Sequence, residues 1–341
     1  RSSRVEQESG GGRPRPPTAP IMSTTTIPTG GGDPATRPRT PAAGGDPATG
    51  RRRAYAGERS LRNGVVALIV IFNAVLLVYP IVQALLGSFH QWNPLNGTYR
   101  WVGLENYSDL AADPTFWTSL TNTAYFSVVV IALRVVLGLA LAYAIWSRVT
   151  RHKTFFRAVF YMPTVTPMVA IAYVWKLMYN PQIGVFHSLL GIDLNWLHNS
   201  RWALPAVMAM TVWKDFGYAV ILFLSALHSL PEDALEAASV DGASAWQRFR
   251  YVINPLLRPM TVFVVITSLI SYVQAYVQIL IMTEGGPGKS TYLISYIIFD
   301  EAFQKYDFGY ASAIAFVLLV ITAALTALSF SVSYRRSGGA R

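Results

Sequence analysis

The chain has 341 residues, of which 52% are hydrophobic and only 13% are charged, and this composition excludes a soluble domain with an ordinary charged surface. The absence of cysteine excludes a disulfide framework and a cysteine-ligated metal centre. The net charge of +10 does not indicate nucleic-acid binding, because residues 1–62 carry eleven arginines against five acidic residues and the other basic residues mostly flank apolar segments. Membrane lipid is the partner that this charge pattern favours.

The first 55 residues consist mainly of Gly, Pro, Thr, Ala and Arg, and the sequence Gly-Gly-Asp-Pro-Ala-Thr occurs at 31–36 and again at 44–49. Such a segment buries too little apolar surface to offset the entropy lost on ordering. We expect a disordered cytoplasmic tail over residues 1–55, in which Met22 is a candidate start, followed by a transmembrane domain over residues 56–341.

Six apolar segments have about the ~20 residues that a spanning helix requires. They lie at about 65–86, 123–146, 156–178, 203–227, 260–282 and 310–334. The runs are continuous rather than alternating, which favours helices over barrel strands. The sequence therefore predicts an all-α membrane protein with six transmembrane helices. Pro163 and Pro167 are expected to kink the third span.

The arginines and lysines indicate the orientation of the spans. They cluster before the first span, between the second and third, and after the sixth, at 51–53, 59, 62, 148, 151, 153, 157, 335 and 336. These ends are expected to face the cytoplasm, so that both termini and the loop at 229–259 are cytoplasmic. Residues 87–122, 179–202 and 283–309 are then external. The expected location is the cell membrane of a bacterium.

The loop at 229–259 carries the signals of two short helices. Ser229, Pro231 and Glu232 are typical of a helix start, with a capping hydroxyl, a proline in the first turn and a carboxylate near the positive end of the dipole. Gly242 permits a sharp turn. Ser244 with Gln247 three residues later predicts a second capped helix, through residues 249 and 250. The expected product is a rigid helix-turn-helix.

The same loop resembles the cytoplasmic EAA loop of the membrane-spanning subunits of bacterial ABC importers. The matching positions are Glu236, Ala237, Ala238, Asp241, Gly242, Ala243, Phe249, Pro255, Leu257 and Pro259. The resemblance implies a type I ABC importer permease whose loop forms a coupling helix. In that family an acid at the position of Glu236 faces a basic residue of the ATPase, and Gly242 would form the turn.

The resemblance also implies the partners of the chain. They are a second permease subunit, two nucleotide-binding subunits that hydrolyse ATP, and an extracytoplasmic solute-binding protein. ATP would be bound by the partner subunits, so the chain is expected to be no enzyme and to hold no cofactor or metal of its own. External segments at 101–107, 113–117 and 283–287, and 309–313 at the start of the sixth span, narrow the resemblance to permeases of carbohydrate importers, which include maltose and glycerol-phosphate systems.

The resemblance to maltose-type permeases implies a solute pathway through the fourth and fifth spans. The corresponding positions are Lys214, Asp215, Tyr218, Ser271 and Gln274, with Tyr272 and Tyr276 as the neighbouring aromatic rings. Hydroxyls, amides and aromatic faces suit sugars. The sequence departs from the common family pattern at Val277 and Leu280, where an acid and a tyrosine are frequent, which weakens any inference of specificity from better-known members.

Each of these assignments has an alternative. Lys214 and Asp215 could instead lie near the outer interface, with the lysine snorkelling and the aspartate paired to a neighbouring subunit. Ser271 and Gln274 could join helices in lipid. For Arg134, inside the second span, a structural ion pair or a contact with the partner permease is favoured over substrate binding.

Other functions have weaker support in the sequence. Residues 285–290 resemble a phosphate-binding loop, but Thr283 stands where that motif needs glycine. The five histidines lack metal-ligand spacing. A stand-alone secondary transporter would need intramembrane carboxylates or broken-helix repeats, and Asp215 is the one acid in the predicted spans. A glycerol-phosphate-type ester is the second substrate class, because its anionic head would suit Lys214.

Overall fold

The computed structural model describes residues 61–147, 152–188, 191 and 194–337. The tail predicted over residues 1–55 lies outside these ranges, together with the arginines at 51–53, 59, 148 and 151. The chain divides into a unit over residues 1–67, whose described residues 61–67 are helical, and a unit over residues 68–341.

The described elements are almost all helical. In chain order they are α1 (Leu61–Gly87), β1 (His90–Asn93), β2 (Thr98–Trp101), α2 (Glu105–Ala112), α3 (Pro114–Trp146), α4 (Lys153–Val165), α5 (Met168–Met178), α6 (Val185–Ser188), α7 (Ala203–His228), α8 (Glu232–Val240), α9 (Ala245–Leu256), α10 (Arg258–Val273), α11 (Val277–Met282), α12 (Ile294–Phe299, continued by a π-helical turn at Asp300–Gln304) and α13 (Phe308–Ser337).

Length and hydropathy identify the membrane spans among the described helices. Four helices are long and apolar enough to cross a bilayer, namely α1, α3, α7 and α13 over Phe308–Ser331. Two bent pairs, α4 with α5 and α9 with α10, qualify if each pair is one span. The total of up to six equals the number of predicted segments, but the pair α9 with α10 covers 245–273 whereas the fifth segment was predicted at 260–282.

A small hairpin on the predicted external side departs from the all-α prediction. Strands β1 and β2 pair antiparallel, with His90 opposite Trp101. The Asn106 side-chain amide donates to the carbonyls of Ser88, at 2.8 Å, and His90, at 3.0 Å, which fastens α2 to the hairpin. Four residues per strand are too few for a hydropathy signal, so the sequence did not show this element.

The second span begins earlier than its predicted start at residue 123. Helix α3 starts at Pro114, whose fixed φ suits the first helical turn. The Asp113 carboxylate accepts a hydrogen bond of 2.7 Å from the Thr115 N–H and caps the helix. The helix therefore has 33 residues and extends beyond the apolar run that hydropathy detects.

The predicted kink in the third span is confirmed, and it is large. Helices α4 and α5 meet at 97° across Thr166 and Pro167. Proline disfavours the α conformation of the residue before it, and Thr166 is extended, with ψ at 138°. Pro163 lies inside α4 without ending it.

The prediction of one continuous fifth span over 260–282 was wrong. Helix α10 ends at Val273 and α11 begins at Val277. Between them Tyr276 has φ −143° and ψ −32°, outside the helical region. The break contains neither glycine nor proline, so its apolar sequence reads as uninterrupted. It lies beside Gln274, one of the predicted pathway residues.

Helix α7 is the most buried of the four straight spans and packs against both α3 and α4. Small residues permit this close approach. A Cβ on Gly217 would overlap the Phe160 carbonyl oxygen and come within 3.1 Å of the Tyr161 Cα. Likewise a Cβ on Gly138 would lie 2.6 Å from the Ala219 Cβ. The third and fourth spans are therefore held together through backbone contact.

This contact predicts that Gly217→Leu destabilises the permease domain. The added side chain meets backbone, which cannot rotate away, so overpacking of about 1–3 kcal/mol or more is expected. The thermal unfolding midpoint in detergent, followed by size-exclusion chromatography, measures the loss. Gly64→Leu is the matched control, because a Cβ there meets nothing within 4 Å. Equal midpoints for the two variants would contradict the prediction.

Candidate coupling loop and solute pathway

The first helix of the loop starts at Glu232 and follows Pro231 directly. Glu232 and Asp233 lie in its first turn, where the helix dipole favours carboxylates. The predicted cap at Ser229 was wrong. Ser229 is the residue at which α7 ends, and its hydroxyl donates to the Ser225 carbonyl at 3.0 Å. It lies too far before Glu232 to reach the free N–H groups of α8.

The turn predicted at Gly242 is confirmed. Its φ is +74°, a conformation that side chains with a Cβ rarely adopt. The Gly242 N–H donates to the Ser239 carbonyl at 3.2 Å, and the Ala243 N–H donates to the Ala238 carbonyl at 3.0 Å. These two bonds close the end of α8 in the manner of a Schellman cap.

The second helix of the loop carries the predicted capping box. The Gln247 N–H donates to the Ser244 hydroxyl at 3.3 Å, and the Ser244 N–H donates to the Gln247 side chain at 2.8 Å. The helix continues past residue 250, where it was expected to end, and reaches Leu256 through a π-helical turn at Phe249–Ile253. It then bends by 62° into α10. Pro255 lies in the last turn before this bend.

Two contacts fix the loop as one body. An Arg248 guanidinium nitrogen donates to the Ser239 hydroxyl at 3.0 Å and so ties α9 to α8. The Phe249 ring meets the Tyr143 ring edge-on, with centroids 5.0 Å apart, which joins the loop to α3. The loop therefore contacts the second span as well as being joined in sequence to the fourth and fifth.

The predicted coupling residues divide by exposure. Glu236, Ala237, Asp241 and Gly242 are exposed, whereas Ala238 is buried and Ala243 and Phe249 are half-buried. Beside them two large apolar side chains are also exposed, Val240 by 87% and Trp246 by 70%. Exposed apolar side chains next to an acid are suited to a protein interface. Val240 and Trp246 were not among the predicted site residues.

Removal of the capping box is expected to lower the local stability of the start of α9. Ser244→Ala removes the acceptor for the Gln247 N–H, which typically costs ~1 kcal/mol. Amide hydrogen exchange within residues 245–248 should therefore become about fivefold faster. Ser229→Ala is the control, since that hydroxyl caps no helix start. The same acceleration in both variants would contradict the cap at Ser244.

The second part of the site is a polar cluster in the middle of α7. Lys214 and Asp215 are the twelfth and thirteenth of its 26 residues, and the Lys214 ammonium lies 3.4 Å from an Asp215 carboxylate oxygen. The other Asp215 oxygen accepts a hydrogen bond of 3.2 Å from the Tyr272 hydroxyl. Lys214 is only 8% exposed, which does not fit a lysine that snorkels to the interface.

Arg134 joins the same cluster from α3. One of its guanidinium nitrogens donates to the Ser268 hydroxyl at 2.9 Å and to the Tyr272 hydroxyl at 3.2 Å. Its guanidinium carbon also lies 5.5 Å from the Tyr218 ring centroid and 5.7 Å from that of Tyr272, within cation–π range. Arg134 forms no ion pair with a carboxylate among the described residues. Its link to Asp215 runs through Tyr272.

The cluster also reaches the bend of the third span. The Thr164 hydroxyl donates to the Lys214 carbonyl at 3.0 Å, and the Lys214 ammonium donates to the Thr164 carbonyl at 3.4 Å. That carbonyl precedes the break before Pro167, where the helix cannot supply all of its own donors. Four spans therefore meet at one set of polar contacts.

The structure separates the predicted pathway residues into two groups. Lys214, Asp215 and Tyr218 belong to the cluster around Arg134, and Tyr218 is also 38% exposed. Gln274 and Tyr276 instead line a cavity of about 850 Å³ between α10, α12 and α13, whose other walls are largely apolar. Ser271 is exposed, and its hydroxyl donates to the Thr267 carbonyl at 3.0 Å.

The sequence did not point to two members of the cluster, Thr164 and Ser268, and it indicated Tyr272 only as an aromatic ring beside the pathway. Ser268 and Tyr272 are four residues apart and therefore lie on one face of α10, which is a signal that could have paired them. Nothing local indicates that their partner is Arg134, more than 130 positions away in the chain.

Comparison with known proteins identifies the family. The model of the binding-protein-dependent transport system inner membrane component family matches residues 134–336. The chain belongs to this family. The matched segment includes the coupling loop and the whole polar cluster. This permease is accordingly a multi-pass membrane protein of a transport system that works with a binding protein.

Individual relatives and structures agree with that assignment. The permease is 32% identical over 267 residues to a multiple sugar-binding transport system permease protein of Streptococcus mutans, covering 77% of this chain and 92% of the relative. It is 33% identical over 272 residues to an sn-glycerol-3-phosphate transport system permease protein of Agrobacterium fabrum, covering 78% and 92%. In fold it is similar to a chain of a bacterial ABC transporter that imports the acidic polysaccharide alginate, with a TM-score of 0.71, 20% identity and coverage of 84% and 99%.

These findings confirm the predicted family and the helical ABC importer permease fold. The permease is a transport component rather than an enzyme by family. The roles of the residues in the coupling loop and in the pathway stay predictions.

Proposed function

We propose that this permease is one of two membrane subunits of an importer that carries a carbohydrate into the cytoplasm, driven by ATP hydrolysis in two separate subunits. An external solute-binding protein delivers the solute. The observation that carries the proposal is the coupling loop, a rigid helix-turn-helix that projects an acid and two apolar side chains and is fastened to the membrane spans.

The loop is rigid enough to pass a displacement from a partner subunit to the membrane spans. Gly242 and the Ser244 capping box fix the angle between α8 and α9, and Glu236, Val240 and Trp246 are exposed for a partner subunit. When the ATPase subunits close on ATP, displacement of the loop would move α7 at one end and α10 at the other. These are the two helices that carry the polar cluster, so a mid-membrane site would change the side to which it opens.

The mid-membrane side chains suit a sugar. Tyr218 and Tyr276 offer aromatic faces that are each 38% exposed, and Ser271 and Gln274 offer exposed groups that form hydrogen bonds. The relative from Streptococcus mutans is named for sugar transport, which supports the same class. Binding there need only be moderate, because the solute must also leave.

A glycerol-phosphate-type ester is the second candidate. The cluster holds two cationic side chains, Arg134 and Lys214, against the single carboxylate of Asp215, and excess positive charge favours an anionic solute. The relative from Agrobacterium fabrum is named for sn-glycerol-3-phosphate transport.

ATP hydrolysis by the purified assembly tests the proposal. The complex is isolated on a tag on this chain, placed in lipid nanodiscs, and assayed with candidate binding proteins and a panel of neutral and phosphorylated sugars. Stimulation by one loaded binding protein is the expected result, and it names the solute. If cells that express a matching ATPase yield no ATPase with this chain, a stand-alone secondary transporter becomes the leading alternative.

A further inference from the structure

A second cavity lies where the third and fourth spans end beside the coupling loop. Its volume is about 410 Å³, and it is lined by Arg157, Ile221, Leu224, Ser225, His228 and Ser229. Arg157 is one turn from the start of α4, and His228 is the last residue of α7. The cavity therefore lies at the level where spans meet water, three residues before α8 begins.

The polar wall of this cavity can donate hydrogen bonds and can carry positive charge. None of the six lining residues is acidic. Arg157 forms no ion pair with a carboxylate in the described part of the chain, and its Nε is buried without a hydrogen-bond partner there. A buried guanidinium nitrogen without a partner is costly. The planar fork of arginine matches the oxygens of a phosphate.

The neighbouring groups complete an anion site. The Ser225 hydroxyl can donate to an oxygen, whereas the Ser229 hydroxyl already donates to the Ser225 carbonyl. The Nδ1 of His228 lies 2.6 Å from the Leu224 carbonyl oxygen and must donate to it. Nε2 is therefore the nitrogen left for a ligand, and it donates to a phosphate oxygen when the ring is protonated. Ile221 and Leu224 make part of the lining apolar, which suits the glycerol and acyl carbons next to a lipid phosphate.

We propose that this cavity binds a phosphate group, and that the bound phosphate links Arg157 of the third span to Ser225 and His228 at the end of the fourth span, next to the coupling loop. Both the headgroup of an anionic phospholipid and soluble phosphate present such a group, with negatively charged oxygens. Basic pockets at the cytoplasmic ends of spans commonly hold lipid headgroups. The assignment of this cavity to the cytoplasmic side of the membrane rests on the proposed function, but the phosphate site itself does not.

Two measurements on the full chain in nanodiscs, with whatever subunits co-purify, test the site. Discs of phosphatidylcholine alone are compared with discs that also contain phosphatidylglycerol. Native mass spectrometry counts the phosphatidylglycerol retained, and amide hydrogen exchange reports protection of residues 226–230. In a separate arm, inorganic phosphate is titrated into the phosphatidylcholine discs. Neither ATP nor sugar is present, so failure of transport coupling cannot affect the result.

The variants are Arg157→Gln and Lys153→Gln. Both remove one positive charge at the same end of α4, but the Lys153 ammonium already donates to the Trp146 carbonyl at 3.0 Å and does not line the cavity. We expect Arg157→Gln to weaken retention and protection tenfold or more, because it removes charge-assisted hydrogen bonds, and Lys153→Gln to leave both nearly unchanged.

The outcomes separate the sources of phosphate and the alternatives. Retention of phosphatidylglycerol supports a lipid ligand, whereas protection by inorganic phosphate alone supports a soluble one. Equal losses of lipid retention and amide protection in the two variants would mean that only surface charge attracts the lipid. That result would contradict the proposed phosphate site. Absence of both retention and protection in the unmodified chain would overturn it as well.

Discussion

A Gly242→Pro variant is expected to lose solute uptake while reaching the membrane at normal abundance. Proline fixes φ near −65°, whereas Gly242 has φ +74°, and its N–H donates to the Ser239 carbonyl. Both the turn and one cap of α8 are therefore lost. The two loop helices must meet at another angle, and the surface formed by Glu236, Val240 and Trp246 no longer fits one partner. The spans themselves do not depend on this turn.

Uptake of labelled solute and stimulation of ATP hydrolysis by the loaded binding protein measure this effect. Both should fall to background, while basal hydrolysis by the ATPase subunits remains. Gly97→Pro is the matched control, because Gly97 has φ +71° and an open environment but lies in the hairpin turn. That variant should keep the stimulation of hydrolysis. Normal uptake by Gly242→Pro at normal abundance would refute the role of the loop.

The second large effect is expected from Asp215→Leu, which leaves the Lys214 ammonium buried without its carboxylate and removes an acceptor from Tyr272. Breaking a buried pair by deleting one partner typically costs ~3–5 kcal/mol. We expect the variant to unfold at markedly lower temperature in detergent. The double variant Lys214→Met/Asp215→Leu should recover most of the loss, because an uncharged pair needs no compensation.

The control for this experiment is Glu284→Gln. Glu284 lies 3.9 Å from Lys176 in an exposed pair, and such pairs contribute ~0–1 kcal/mol. Its thermal unfolding should change little. Equal destabilisation in the single and double variants at 214 and 215 would show that the pair does not act as a unit. Uptake by the stable double variant then decides between a structural pair, for which uptake returns, and a pathway role, for which it does not.

The sequence was most informative where structure is local. Gly242 and the Ser244–Gln247 spacing sufficed for the turn and the second helix start, because a cap involves residues three apart. The same reasoning failed at Ser229, whose hydroxyl was nearer to the end of α7 than to the start of α8. A residue type that favours caps identifies the cap of a helix only if the position of the first helical residue is established independently.

The polar cluster and the break after Val273 could not be predicted in this way. Hydropathy counts apolar side chains, and residues 260–282 remain apolar across the break. Apart from Asp215, which follows Lys214 directly, the hydrogen-bond partners of Arg134 and Lys214 lie 50 to 138 positions away. Only packing of α3, α4, α7 and α10 brings them together. Lys214 and Asp215 could be singled out because charged side chains inside a membrane span are energetically costly. Ser268 and Thr164 are uncharged and carry no such signal.

The right-angled third span has a consequence for biogenesis. Its halves contain 13 and 11 residues, or about 20 Å and 16 Å of helix, against a hydrocarbon core of ~30 Å. Neither half crosses a bilayer alone, and the carbonyl of Thr164 finds its donor on α7, which the ribosome makes later. The insertion machinery must therefore hold the third span until the fourth has emerged, so that the two enter the bilayer as one hairpin. The backbone contact at Gly217 then forms as the two spans pair.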